Sequence, residues 1–198
     1  MIICEHLLLS QGAKLCSYDP EEYIFNEGTV AKNYFQIRCG TVKLNNYLED
    51  GKEFIHGFPY EGHCIGESYV FTENKYAVNA VALTNCEIIV LDKNKFLQIL
   101  LKEPELFLKV NKYTADRLHF RYIISGFLSI SDPLVKIEKL FSYLRKYFGG
   151  QSKHSFLIPY TRQQIAALTG LRVETVIRVV KKMEIQGVVK IDNAKVYF

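Results

Sequence analysis

The chain has 198 residues, 48% of them hydrophobic and 23% charged, which is room for two modest domains with ordinary globular cores. No apolar run reaches the ~18 residues of a membrane span, even around residues 123–128, and residues 1–9 lack a basic start and are interrupted by Glu5 and His6, so a cytoplasmic protein with no membrane partner is expected. The net charge of +4 is uneven: residues 132–198 hold twelve Lys/Arg against five Asp/Glu (+7), and residues 1–131 hold thirteen against sixteen (−3), as suits a polyanion-binding module attached to a control module.

In chain order, residues 18–92 read as short strands separated by turns. Segments 22–25, 34–38, 42–47, 53–58, 78–82 and 87–91 are rich in Tyr, Phe, Ile and Val, and Asn26-Glu-Gly28, Cys39-Gly40, Glu49-Asp-Gly51 and Glu61-Gly62 punctuate them. Asp50-Gly51 between two alternating runs predicts a hairpin. Many short strands at close spacing predict a small barrel or jelly roll rather than a parallel sheet. The period then changes. A short helix is expected over 93–101, and Pro104 opens a long one running to about residue 129. Its Leu106, Val110, Tyr113, Arg117, Phe120, Ile124 and Phe127 form a heptad seam, apolar except at Arg117. Leu108, Leu118, Ile123 and Leu128 widen the apolar surface beyond that seam, which predicts a helix touching both its own domain and the partner in a symmetric dimer.

Ser131-Asp132-Pro133 ends that helix and starts the next, with Asp132 as cap and Pro133 at the first helical position, so it forms a hinge. An amphipathic helix follows over 134–148, ending at Gly149-Gly150, and a polar loop over 151–155. From Thr161 to Glu184 the sequence predicts two short helices joined by a turn at Gly170, the second amphipathic and lined with Arg, Glu, Thr and Lys. Such a helix fits the DNA major groove, where Arg reads guanine edges and Glu accepts from cytosine. Residues 188–191 and 195–198, with Asp192-Asn193 between them, complete a β-hairpin wing. Ile165, Ala166, Leu168, Val176, Val179, Val180 and Met183 are expected core of this small domain, and Glu174 and Arg178, four apart, could alternatively form an ordinary helix-surface salt bridge.

This order resembles the catabolite-activator/FNR (Crp/Fnr) family of bacterial transcription regulators from about Asp19 to Phe198, most specifically in Phe25-Asn-Glu-Gly28, Gly40-Thr-Val-Lys43, Ile65-Gly-Glu67 and the 161–184 segment. The resemblance implies an α+β architecture: a cyclic-nucleotide-binding-like jelly-roll barrel over 1–103, a dimerisation helix over 104–131, and a winged helix-turn-helix over 132–198 that binds double-stranded DNA as a homodimer. Where the cyclic-AMP activators carry a guanine-reading Arg, this chain has Val173. FNR-type members have Val there, then Glu, then Arg, as in Val173-Glu174 and Arg178, implying an inverted repeat of TTGA half-sites with Arg178 on guanine and Glu174 on the opposite cytosine. Arg172 is an extra cation at the helix start for a base or a phosphate. Thr161, Arg162, Thr175 and Lys181 fit phosphates, with Gln163 beside them as a further DNA contact. In family activators, residues 149–155 occupy the position that contacts RNA polymerase, although a surface loop is the simpler reading.

In cyclic-nucleotide-binding members an Arg-Ser pair meets the cyclic phosphate a short helix after the Gly-Glu pair. Here Gly66, Glu67 and Ser68 are in place, but the Arg-Ser positions fall on Tyr76 and Ala77, with Lys75 alongside. A desolvated phosphodiester needs a cation or several donors, which argues against cyclic AMP. The adenine-facing positions fall on Arg121 and Tyr122. A different small effector lined by Glu67, Tyr76, Arg121 and Tyr122, or none, is the expectation. Cys4, Cys16, Cys39, Cys64 and Cys86 are scattered, without C-x-x-C or zinc spacing, and read as reduced; an FNR-type iron–sulfur cluster would need more closely spaced N-terminal cysteines. His6, His56, His63, His119 and His154 leave a haem open, although lone histidines are more often structural. A cupin-like metal enzyme would need an H-x-H pair that is missing, no nucleophile–base constellation stands out, and so no enzyme is expected; the remaining alternative is a protein-interaction module.

Overall fold

Alternating apolar and polar residues in the first half build two antiparallel sheets. In the computed structural model, which describes residues 1–149, 152 and 154–198, β1 (Lys14–Tyr18), β8 (Cys86–Asp92), β3 (Asn33–Cys39) and β6 (Cys64–Ile65) form one sheet in that order. The other runs β2 (Tyr23–Phe25), β7 (Asn79–Ala82), β4 (Val42–Tyr47), β5 (Glu53–Gly57). Two four-stranded sheets in these orders are a jelly roll, the architecture expected. Side chains from both inner faces fill it, among them Phe25, Phe35, Ile37, Val42, Leu44, Ile65, Ala80, Ala82 and Ile88.

The run Ile88-Ile89-Val90-Leu91 does not alternate, because β8 is buried on both sides. Ile88 points into the barrel, whereas Ile89 and Leu91 join Tyr34, Phe96, Ile99, Leu100, Leu106 and Val110 in a second cluster on the outer face. α1 (Glu5–Ser10), α2 (Lys93–Lys102) and the start of α3 (Pro104–Leu128) supply that cover. The β4–β5 hairpin closes at Asp50-Gly51 as expected, with Tyr47 opposite Glu53 and Gly51 N–H donating to the Leu48 carbonyl. Three elements were not anticipated: α1, β1 and β6. α1 is six residues and β6 two, too short for a period to show. The N-terminal segment is held by the buried amide of Gln36, which accepts from Ile3 N–H and donates to the Ile3 carbonyl, both at 2.9 Å.

The chain divides into two compact units, Met1–His119 and Phe120–Phe198, so the division falls inside α3. The limits expected near 103 and 131 lie close to the ends of α2 and α3. The predicted seam is real and packs within each unit: Leu106, Val110 and Tyr113 in the first, Phe120, Ile124 and Phe127 in the second.

In the second unit, Asp132 caps α4 (Pro133–Phe148) through its Oδ1, which accepts from Leu134 N–H at 2.8 Å. α5 (Arg162–Thr169), α6 (Val173–Ile185) and the hairpin β9 (Lys190–Asp192)–β10 (Lys195–Tyr197) follow. The wing starts two residues later than expected because Val189 is buried in the core of the unit. The buried Lys136 ammonium donates to the Leu128 and Thr169 carbonyls at 3.2 and 3.4 Å, tying the ends of α3 and α5 together. The loop expected over 151–155, and with it the polymerase-contact position, lies partly outside the described residues. Among the described residues, no helix is long and apolar enough to cross a membrane.

Candidate nucleic-acid interface and effector barrel

The helix-turn-helix is built by local signals that agree with one another. Thr161 Oγ1 accepts from Gln164 N–H at 3.1 Å while the Gln164 side chain accepts from Thr161 N–H at 2.9 Å, a reciprocal capping box that starts α5. Gly170 ends it in the left-handed region at φ 68°, where a side chain would strain the backbone. Ile165, Ala166 and Leu168 of α5, and Val176, Val179, Val180 and Met183 of α6, form the core as expected.

That buried stripe fixes which face of α6 looks outward. Glu174, Ile177, Arg178, Lys181 and Lys182 are exposed, and residues at i, i+3, i+4 and i+7 share one helix face. The alternative salt bridge is not made: among the described residues, neither Glu174 nor Arg178 forms an ion pair or a side-chain hydrogen bond. The same holds for ion pairs of Arg172, Lys181, Lys182, Lys190 and Lys195. These groups keep their full hydrogen-bonding capacity for a ligand. Arg172 is the exposed N-cap of α6 and makes no side-chain cap.

The remaining expected contacts are placed differently. Thr161 and Gln163 are exposed at the start of α5, but the Thr161 hydroxyl already serves the cap. Arg162, expected at a phosphate, donates from Nη1 to the Ala194 carbonyl at the tip of the wing. Val173 is half-buried against the core, so it offers a base little of its surface, and Thr175 is half-buried as well.

In the first unit, Gly66 at φ 66° leads into a 3-10 turn, Glu67–Phe71, the short helix expected from 68 to 71. A Cβ at Gly66 would lie 2.8 Å from the Tyr76 ring and 3.2 Å from that of Phe25, so only glycine fits there. Tyr76, expected as a polar lining residue, is buried at 3% exposure and stacks on Phe25 at 3.9 Å. Burial pushes its phenol up to about 12, so it is neutral. Its hydroxyl has no hydrogen-bond partner among the described residues. Ser68, Lys75 and Ala77 are exposed. Arg121 and Tyr122 lie on the part of α3 that belongs to the second unit, half-buried and exposed respectively.

Sequence reasoning missed what Glu67 does. Its buried carboxylate takes a hydrogen bond from Arg117 Nη1 at 2.7 Å, and Arg117 also donates to the Cys64 carbonyl at 3.3 Å. The signal was available: a charged residue at a buried heptad position requires a buried countercharge. Tyr113 donates to the same Cys64 carbonyl at 3.0 Å. Cys64 is buried, and desolvation holds its thiol well above the usual range, so it is no thiolate. Among the described residues, no three His, Cys, Asp or Glu side chains converge on a metal position.

Comparison with known proteins matches both units. The cyclic nucleotide-binding domain model matches residues 15–103, and the Crp-like helix-turn-helix domain model matches residues 138–197. The cAMP-activated global transcriptional regulator CRP of Salmonella typhimurium is 28% identical over 174 residues, 87% of this chain and 83% of that protein. The anaerobic regulatory protein of Bacillus subtilis is 28% identical over 180 residues, 87% of this chain and 74% of that one. The solved structure of CLP, the c-di-GMP responsive global regulator of Xanthomonas campestris, shares the fold with a TM-score of 0.81 at 19% identity, covering 98% of this chain and 99% of that chain. With the jelly roll, the long helix and the winged helix-turn-helix in the same order, the chain belongs to the Crp/Fnr family of DNA-binding transcription regulators.

Proposed function

We propose that the protein acts as a homodimer on an inverted repeat of TTGA half-sites, under the control of a barrel whose input is not cyclic AMP. The observation that carries the half-site is the pair Glu174 and Arg178, one turn apart on the outward face of α6 and each without an ion-pair partner among the described residues. Val173 supports it, because the base-reading Arg of cyclic-AMP activators is replaced by a residue packed on the core. Arg178 donates to guanine O6 and N7 and Glu174 accepts from the cytosine amine. Arg172 and Lys181 take phosphates, which set register without reading sequence.

The dimer is supported by the outward face of α3. Leu108, Ala115 and Tyr122 recur every seven residues with Leu118 between, all exposed, while the opposite seam is used within each unit. Against cyclic AMP stands the chemistry of residues 76 and 77: a neutral stacked phenol and a methyl group cannot offset the desolvation of a phosphodiester. CRP is cAMP-activated by name; the cation that the ligand requires has no counterpart at these two positions.

Selection of bound sequences from random duplex DNA tests the half-site and its spacing together. Arg178→Ala is expected to lose about 5- to 150-fold in preference for TTGA over a guanine-substituted site in a mobility-shift titration, while remaining a folded dimer. Unchanged selectivity would remove Arg178 from the readout. Calorimetric titration with cyclic AMP is expected to show no micromolar binding.

A further inference from the structure

We propose that the buried Lys136 is a positioning residue for DNA binding: its ammonium bridges the carboxyl ends of α3 and α5, fixes the direction in which α6 leaves the turn, and so sets the half-site spacing that a dimer accepts. The inference rests on the dimer reading above and extends it. Lys136 is 7% exposed, on the first turn of α4, and its Nζ donates to the Leu128 carbonyl at 3.2 Å and to the Thr169 carbonyl at 3.4 Å. Leu128 is the last residue of α3 and Thr169 the last of α5. The final carbonyls of a helix have no partner within it and carry its partial negative charge, so two helix ends turned towards one ammonium form a site for a cation.

The carbonyls just before these two are satisfied locally. At the end of α3, the Gly126 carbonyl accepts from Ser129 Oγ at 2.8 Å and that of Phe127 from Ile130 N–H at 3.1 Å. At the end of α5, Thr169 Oγ1 donates to the Ile165 carbonyl at 2.6 Å, and the N–H groups of Gly170 and Leu171 donate to that of Ala166. Lys136 serves the outermost carbonyl at each end. From Thr169 only Gly170, Leu171 and Arg172 intervene before α6 starts at Val173. The Leu128 side chain lies against that turn, since a Cβ at Gly170 would meet its Cδ2 at 3.8 Å. With so short and so hydrogen-bonded a turn, anchoring Thr169 to the end of α3 anchors the start of α6. In a dimer paired along α3, the same anchor fixes the distance between the two α6 helices, which decides how far apart the half-sites must lie. Stability alone does not call for an ammonium here. A buried charge is costly to desolvate, and an apolar side chain of similar size often serves a folded state as well. What the charge adds is directional bonding to two particular carbonyls.

The test compares the full chain with its Lys136→Met and Lys136→Arg variants, by selection from random duplex DNA and by titration of sites whose half-site separation is changed by one base pair. Met keeps the length and removes the cation, whereas Arg keeps a cation with donors for both carbonyls. The unaltered chain is expected to prefer one separation. In Lys136→Met the selected half-site is expected to stay the same while the preference for that separation falls about 10-fold, and Lys136→Arg is expected to keep most of it. The melting temperature of the second unit is expected to change little in either variant. A spacing preference unchanged in Lys136→Met would overturn the proposal. So would equal relaxation in both variants, which would make the space rather than the cation decisive. Joint loss of half-site selectivity, spacing and melting temperature would make Lys136 purely structural and overturn it too. Should Lys136→Met not fold, Lys136→Gln, which keeps a donor without the charge, carries the same comparison, and failure of both to fold counts against the proposal in the same way. If the unaltered chain selects single half-sites or no preferred separation, the dimer reading falls and this inference with it. If a fixed separation is selected and Lys136→Met keeps it, this inference alone fails.

Discussion

Glu67 is only 3% exposed and Arg117 sits against it at 2.7 Å, so each partner depends on the other. Arg117→Met would leave a carboxylate buried without that cation, and breaking such a pair costs about 3–5 kcal/mol. Adding Glu67→Gln should return part of that loss, and urea unfolding of the two single variants and the double variant measures the coupling. His63 lies in the same region and is lowered to about 4 by burial and by the Arg117 charge. Its ordinary value is 6.5, so above that pH it is neutral both folded and unfolded and has no effect. As pH falls from 6.5 towards 4, the unfolded chain gains a proton that the folded one refuses, and stability declines. A series of melting temperatures over this window should show the decline, and His63→Gln should flatten it. At the wing tip, Asn193 and Ala194 form a two-residue hairpin loop with φ of 47° and 62°, the mirror-image turn that favours Asn-Gly. Ala194→Gly is therefore expected to stabilise the second unit by about 0.5–1 kcal/mol, read as a rise in its melting temperature. Arg162 would keep its bond there, since it uses the backbone carbonyl.

Elements were legible where a period ran long enough to declare itself. Strands β3, β4 and β8 and helices α2 and α3 end within two residues of their expected limits, because apolar runs bounded by turn residues, or a helical period, mark them. β1 was not, since its exposure pattern runs through Leu15 to the outside and its pairing with β8 is made by the backbone. In the helix-turn-helix the limits of α5 were readable, Thr161 as its cap and Gly170 as the turn after it being signals in the sequence itself. The bond from Arg162 to the Ala194 carbonyl was not foreseen, because its partner is a backbone group 32 residues away, which composition cannot announce. α3 shows a single helix serving two ends: one stripe is consumed by the units and the stripe with Leu108, Leu118 and Tyr122 is left over. Leu118→Glu places a charge on that stripe and is expected to shift sedimentation towards the monomer and weaken binding to the paired half-sites together, with the barrel still folded.

Over the whole chain, charge is used in two ways. Ion pairs such as Arg38 with Glu5 and Glu87, Lys43 with Glu53, and Arg117 with Glu67 fasten the first unit internally. In the second, Arg172, Arg178, Lys181, Lys182, Lys190 and Lys195 take part in none among the described residues. Ionic strength should therefore act on the two units differently. Added salt has no such bridge among those six residues to screen, so the fold of the second unit should tolerate it, whereas association with a duplex expels condensed counterions and weakens steeply, by a log–log slope of about −0.9 per phosphate neutralised. Removing one phosphate-facing cation, as in Lys181→Ala, should make that slope shallower by about one. On the half-site reading proposed above, the unpaired positive groups of α6 leave affinity for a duplex adjustable by ionic strength alone.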